Sequence, residues 1–201
     1  MSQIVDDSIR RVVVGVATLN LAYFCVEFVV ARHIDSVSLF ADSVDFLEDA
    51  SVNLLIAAAL MWTPRNRARL GMGLAAILVI PGLATLWTAW AKFGSPLPPQ
   101  PVILSITGFG ALAVNSLCAV MLVRHRRAGG SLTKAAFLSA RNDAFANMAI
   151  IMTGLATALF WHSAWPDLIV GLGIAAMNAD AAKTVWRTAR EEHRHAPTLS
   201  L

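Results

Sequence analysis

The sequence predicts an all-α, polytopic membrane protein with six transmembrane helices and both termini in the cytoplasm. Three observations lead there. The 201 residues are 57% hydrophobic and only 14% charged, with a mean hydropathy of +0.62, whereas a soluble domain is about 25% charged. The apolar residues gather into six segments, at 11–31, 38–62, 69–91, 101–123, 134–161 and 165–186. Each is near the roughly 20 residues that carry a helix across about 30 Å of hydrocarbon. Finally, the basic residues are distributed unevenly among the connections.

The first segment is too long for the apolar core of a signal peptide, and no small-residue cleavage site follows it, so it is expected to remain as a helix. "TPRNRAR" (63–69) separates the second segment from the third. "FGSPLPPQP" (93–101) ends the third, because its prolines cannot continue a helix. Pro81 should kink the third segment. "RHRRAGGSLTK" (124–134) divides the fourth from the fifth with a glycine pair as the stop. "HSAWPD" (162–167) divides the fifth from the sixth, with Pro166 near a helix start.

With the N-terminus placed in the cytoplasm, thirteen of the sixteen basic residues fall in inside loops and tails, from Arg10 and Arg11 to Arg190 and Arg194. Only Arg32 and Lys92 fall outside, and Arg141 lies within a span. Such a bias fixes orientation. It also accounts for a pI near 9.3 without nucleic acid as a partner. The expected division is a cytoplasmic segment 1–10, a six-helix transmembrane domain 11–186 and a short cytoplasmic tail 187–201. Cys25 and Cys118 lie in apolar runs with no Cys-x-x-Cys spacing, and read as small packing residues.

The second segment contains an anomaly. "ADSVDFLED" (41–49) holds Asp42, Asp45, Glu48 and Asp49 where charge is most costly. One charged residue at mid-helix costs roughly 2.5–3.5 kcal/mol, so four would cost on the order of 10 kcal/mol. An apolar residue returns only about 0.3–0.6 kcal/mol. These carboxyls must therefore face the bundle, water, a cation or a proton. Asp42, Asp45 and Asp49 lie at offsets 0, 3 and 7, one face of a helix. Glu48 is rotated about 100° from Asp49, off that stripe. Holding helices together would need only one or two Asn or Ser.

The fifth segment repeats the pattern. "LSARNDAFAN" (138–147) sets Ser139, Asp143 and Asn147 at offsets 0, 4 and 8, all offering oxygen, with Arg141 and Asn142 elsewhere on the wheel. Two oxygen-bearing stripes can form a cation site between two helices. Hard oxygen suits Mg-, Mn- or Ca-like ions, while zinc prefers His and Cys as well. Carboxylates that bind either metal or proton also couple the two.

The run "SVSLFADSVDFLEDASVNLL" (36–55) resembles the second helix of the cation diffusion facilitator family, with Asp45 and Asp49 at its His/Asp-x-x-x-Asp ligand pair. "FLSARNDAFAN" is similar to the fifth helix, with Ser139 where the family usually has His and Asp143 at the Asp. "WPDLIVGLGIAAMNADAAKTVW" resembles the sixth, and Glu27 fits the first. The resemblance implies a six-helix carrier, often dimeric, that exports divalent metal from the cytoplasm in exchange for protons by alternating access. Its transport site would lie between the second and fifth helices. Asp45, Asp49 and Asp143 would be its core, Asn147 and Ser139 further ligands, and Asp42 a supporting residue or proton carrier.

Serine is a weak ligand. That leaves Asn147, water or nothing as the fourth donor, and leaves the metal open among Zn, Mn, Co, Fe, Cd and Mg. No tightly bound cofactor is implied. Many relatives carry a cytoplasmic metal-binding domain after the sixth helix; here "RTAREEHRHAPTLSL" follows, so a homodimer would be held within the bilayer. The location implied is the plasma (inner) membrane.

Other polar residues have simpler readings. Glu191, Glu192, His193 and His195 read as a solvated, flexible tail, and His33 and His162 as loop residues. Asn20 and Asn115 read as interhelical hydrogen-bond partners, and Asp180 as lying at the water interface or paired with a base. Gly108, Gly110, Gly171 and Gly173 suit close helix packing. Competing functions are a carrier coupled to protons or monovalent cations, a membrane metal sensor or subunit that does not transport, and an intramembrane aspartyl hydrolase. Against the last, no Gly-x-Gly-Asp element occurs.

Overall fold

The computed structural model describes residues 2–59, 82–94, 97–123 and 130–195. Among them are six helices and no strand: α1 (Ser2–Ile34), α2 (Val37–Ala59), α3 (82–94), α4 (Pro101–Val123), α5 (Gly130–Leu159) and α6 (Trp165–His195). Two stretches, Ser8–Ile34 and Pro101–Val123, are long and apolar enough to cross a membrane by length and composition, each with hydropathy 2.0. Pro81 and the basic connections at 63–69 and 124–129 lie outside the described residues.

Helix ends follow local chemistry. α4 opens on Pro101, where a missing N–H costs nothing. Between α1 and α2 the chain turns at Asp35, whose φ of 54° lies in the left-handed region that Asp tolerates better than most residues. Ser36 then caps α2: its Oγ accepts the Leu39 N–H at 3.2 Å. α6 continues through "EEHRH" to His195, so this stretch is helical where the sequence suggested a flexible tail. Hydropathy falls at residue 187, but Ala, Arg and Glu still favour helix.

The polar and apolar residues are arranged inside out. Val29, Leu83, Trp87, Trp90, Val102, Ile106 and Met152 are exposed, while Asn20, Glu27, Asp42, Asn115 and Asn147 are buried. Water would penalise so broad an apolar exterior; hydrocarbon does not, and intramembrane polar groups turn toward the bundle. α2 is central, packed against α1, α5 and α6, while α4 packs on α5 and α1.

The interior is layered. One apolar cluster joins Ala31 and Ile34 of α1, Leu39, Phe40 and Ala41 of α2, Leu104 of α4, Ile150 of α5 and Ile174 of α6. A second joins Ile9, Val13 and Val16 of α1, Ile56 and Ala57 of α2, and Cys118 and Leu122 of α4. Buried polar residues occupy the stretches between: Asn20 and Glu27 on α1, Asp42 to Asn53 on α2, Thr107 and Asn115 on α4.

Close packing depends on glycine at two of the four expected positions in particular. A Cβ on Gly171 would come within 2.7 Å of the Val37 backbone, and one on Gly110 would collide with the Tyr23 hydroxyl. Gly108 is moderately tight, against Ile150 and Ile151. Gly173 differs from expectation: nothing lies within 4 Å of its would-be Cβ.

Candidate metal centre

α2 delivers its acids into the polar layer. Asp42 is fully buried, Glu48 and Asp49 are each 7% exposed, and Asp45 is half-buried. Glu48, although off the Asp stripe, is thus as buried as Asp49, because α2 is surrounded by neighbours on several sides. Across from α2, α5 presents Asp143 and Asn147, both buried, while Asn142 points outward as its wheel position requires. The carboxyls of Asp49 and Asp143 come within hydrogen-bonding reach, with Asp42, Asp45 and Glu48 contributing to the same negative field. Ser139 lies on α5, one turn from Asp143; its side chain, like those of Arg141, Asp180, His193 and His195, lies outside the described residues.

Two asparagines occupy equivalent places. Asn53 lies four residues beyond Asp49, and its Nδ2 donates to the Asp49 carbonyl at 2.9 Å. Asn147 lies four residues beyond Asp143, and its Nδ2 donates to the Asp143 carbonyl at 2.9 Å. Each side chain is thereby oriented, and each leaves a buried Oδ1 with no hydrogen-bond partner among the described residues. A buried oxygen without a donor is unusual and calls for a reason. Both amides are neutral oxygen donors of the kind that hard cations accept. Asn147 was legible from its face on the fifth segment. Asn53 was missed, although it stands at the next four-residue step after Asp45 and Asp49. Among the described residues, no three His, Cys, Asp or Glu side chains are drawn together tightly enough to enclose a metal ion.

A second carboxyl pair lies nearer the α1–α2 turn. Glu27 of α1 and Asp42 of α2 are both 0% exposed and face each other within hydrogen-bonding reach. Tyr23, one turn before Glu27, donates its hydroxyl to the Thr107 carbonyl at 2.6 Å and packs its ring at a tilt of 50° against Phe46, with centroids 5.0 Å apart. Asn20 receives the Cys118 thiol on its Oδ1 at 3.8 Å. Asn115, expected to bridge helices, has neither amide atom partnered among the described residues. His162 is exposed in the α5–α6 connection, as expected of a loop residue, whereas His33 is exposed but lies in the last turn of α1, not in a loop.

At the turn itself, Asp167 in the first turn of α6 is saturated. It accepts from Ser36 Oγ at 2.7 Å, Val37 N at 2.8 Å, Ser38 Oγ at 2.6 Å and Ser38 N at 3.1 Å. Lys92 of α3 completes the set at 3.2 Å and also donates to the Asp35 carbonyl. Lys92 is 2% exposed and is neutralised by this contact.

The family model described as the cation efflux transmembrane domain matches residues 13–192 of the chain. No curated protein matches it.

Proposed function

This chain belongs to the cation efflux family, and we propose that it exports a divalent metal cation from the cytoplasm in exchange for protons. As a member it is a transmembrane cation transporter, and the metal is cargo. The observation that carries the finer reading is the approach of Asp49 on α2 to Asp143 on α5. Two like-charged groups so close invite a cation or a proton between them.

In this reading the metal enters partly dehydrated and draws Asp45, Asp49 and Asp143 inward. The Oδ1 atoms of Asn53 and Asn147, and the hydroxyl of Ser139, replace part of its water shell. Such an all-oxygen set favours hard or borderline ions such as Mn, Mg, Co or Fe over Zn or Cd. Metal and protons compete for the same carboxylates, so loading the site from one side releases protons there. Closing one apolar cluster while opening the other would then present the polar layer to alternate sides. Six spans with cytoplasmic ends follow from the charge bias, and no chemical step on a substrate is required.

The test is metal uptake into proteoliposomes under a pH gradient, scanning Zn, Mn, Co, Fe, Cd and Mg for wild type beside Asp45→Ala. Uptake of one ion that needs Asp45 is expected. Metal binding without uptake of any ion would replace the exporter with a metal-binding subunit that does not transport.

A further inference from the structure

The exporter reading gives protons to the metal ligands, but Glu27 and Asp42 stand apart from those ligands and need an explanation of their own. All four of their carboxyl oxygens are buried, and among the described residues no N–H or O–H group donates to any of them. Among the described residues neither acid has an ion-pair partner. The nearest hydroxyl along α1, that of Tyr23, is committed to the Thr107 carbonyl. Each acid lies within hydrogen-bonding reach of the other.

Two ionised carboxylates are acceptors only, so as a pair they would repel with nothing to bridge them. One proton changes the count. The protonated acid becomes an O–H donor, the other remains an acceptor, and the contact becomes a short, charge-assisted hydrogen bond. A divalent metal does not meet the need as well. Hard divalent ions take six or more oxygens, usually including water, whereas two acids supply at most four and both are 0% exposed. The metal candidates differ in this respect, since Asp45 is half-buried and Asp49 and Asp143 retain 7% and 9% exposure.

We propose that Glu27 and Asp42 form a carboxyl pair holding a single proton, a proton site separate from the metal ligands, and that this proton is a counter-ion of the exporter besides those its metal ligands release.

The coupling is electrostatic. Asp42 lies one turn from Asp45 on α2, and the groups facing the pair are Tyr23 on α1, Asp45 and Asp49 on α2 and, farther off, Asp143 on α5. Loss of the shared proton adds one negative charge beside the metal ligands and strengthens cation binding there. Metal arrival in turn favours loss of the proton, as linkage requires. Metal and proton thus exclude each other without sharing an atom. The counter-ion part rests on the exporter reading; the proton pair does not.

The experiment has two arms on the full chain in lipid. The first is infrared spectroscopy near neutral pH without metal, reading the carbonyl stretch of a protonated carboxyl. The band is expected in wild type, and one component should be lost in both Glu27→Gln and Asp42→Asn while persisting in Asp49→Asn. No such band, or one unchanged by either substitution at the pair, overturns the proton site; loss in two independent variants guards against misfolding of one. The second arm is manganese binding and uptake. Glu27→Gln should still bind manganese, but less tightly than wild type at high pH, where wild type has lost the pair's proton, and its uptake should respond less to the pH gradient. Uptake as responsive to the gradient as in wild type, or manganese binding abolished, overturns the counter-ion assignment. If wild type transports nothing while the band behaves as expected, the exporter reading and the counter-ion role fail and the proton pair stands.

Discussion

Lys92 Nζ lies 3.2 Å from Asp167 Oδ2, with both side chains withdrawn from solvent. Through this one carboxylate the end of α3, the cap of α2 and the start of α6 are tied together. Removing one partner of a buried pair commonly costs about 3–5 kcal/mol, because the other charge is left uncompensated. The two partners are not equally exposed to that loss. Without Lys92, Asp167 keeps two hydroxyl and two backbone donors; without Asp167, Lys92 keeps only the Asp35 carbonyl. Asp167→Ala should therefore lower the thermal unfolding midpoint in detergent clearly more than Lys92→Met. Equal shifts would show that the ion pair, and not the hydrogen-bonded cap, holds this end together.

Gly171 and Gly173 sit two residues apart on α6 with opposite surroundings. Gly171→Ala forces a methyl group against the Val37 backbone and should cost about 1–3 kcal/mol, as overpacking does. Gly173→Ala meets open space and should be neutral, or gain up to about 1 kcal/mol of helix propensity. Thermal unfolding of the two variants side by side checks the α2–α6 contact; a mild Gly171→Ala would mean that the two helices are farther apart.

The metal site proposed above, with Asp49 as one of its ligands, predicts a graded series. Asp49→Ala removes a charged ligand and should weaken metal binding by more than the roughly 10–100-fold typical of losing a supporting residue. His193→Ala should leave binding unchanged. Ser139→His should raise zinc affinity, since imidazole is a far better zinc ligand than a hydroxyl. Binding should weaken as pH falls, because protons and metal compete for the carboxylates. Calorimetric titration with manganese and zinc at several pH values measures all four; equal effects of Asp49→Ala and His193→Ala would remove Asp49 from the site.

Much of this was legible from spacing alone. Asp42, Asp45 and Asp49 announce a polar face on α2, Asp143 and Asn147 another on α5, and prolines and glycines mark the breaks. Periodicity tells which way a residue faces on its own helix, but not which helix stands opposite. The pairing of Glu27 with Asp42 and the burial of Lys92 against Asp167 depend on neighbours 15 and 75 positions away in the chain. Asn53 was hidden for another reason: a single amide in an apolar helix has no charge to draw attention to it. The end of α6 was misjudged because hydropathy reports the solvent a helix prefers, not whether a helix forms.

The stacking of a polar layer between two apolar clusters has an electrical consequence. Apolar plugs of low polarisability are where a transmembrane voltage drops, and a polarisable layer between them approximates a single equipotential plane. An elementary charge crossing the whole potential gains about 2.3 kcal/mol per 100 mV. A doubly charged ion passing the plug built on Leu39, Phe40 and Ile150 would do a fixed share of twice that work, and one passing the plug built on Val13, Ile56 and Leu122 the remainder. The molecule is then a pair of capacitors in series. Exchange of one divalent ion for one proton would drive current across it, whereas exchange for two protons would be silent to voltage.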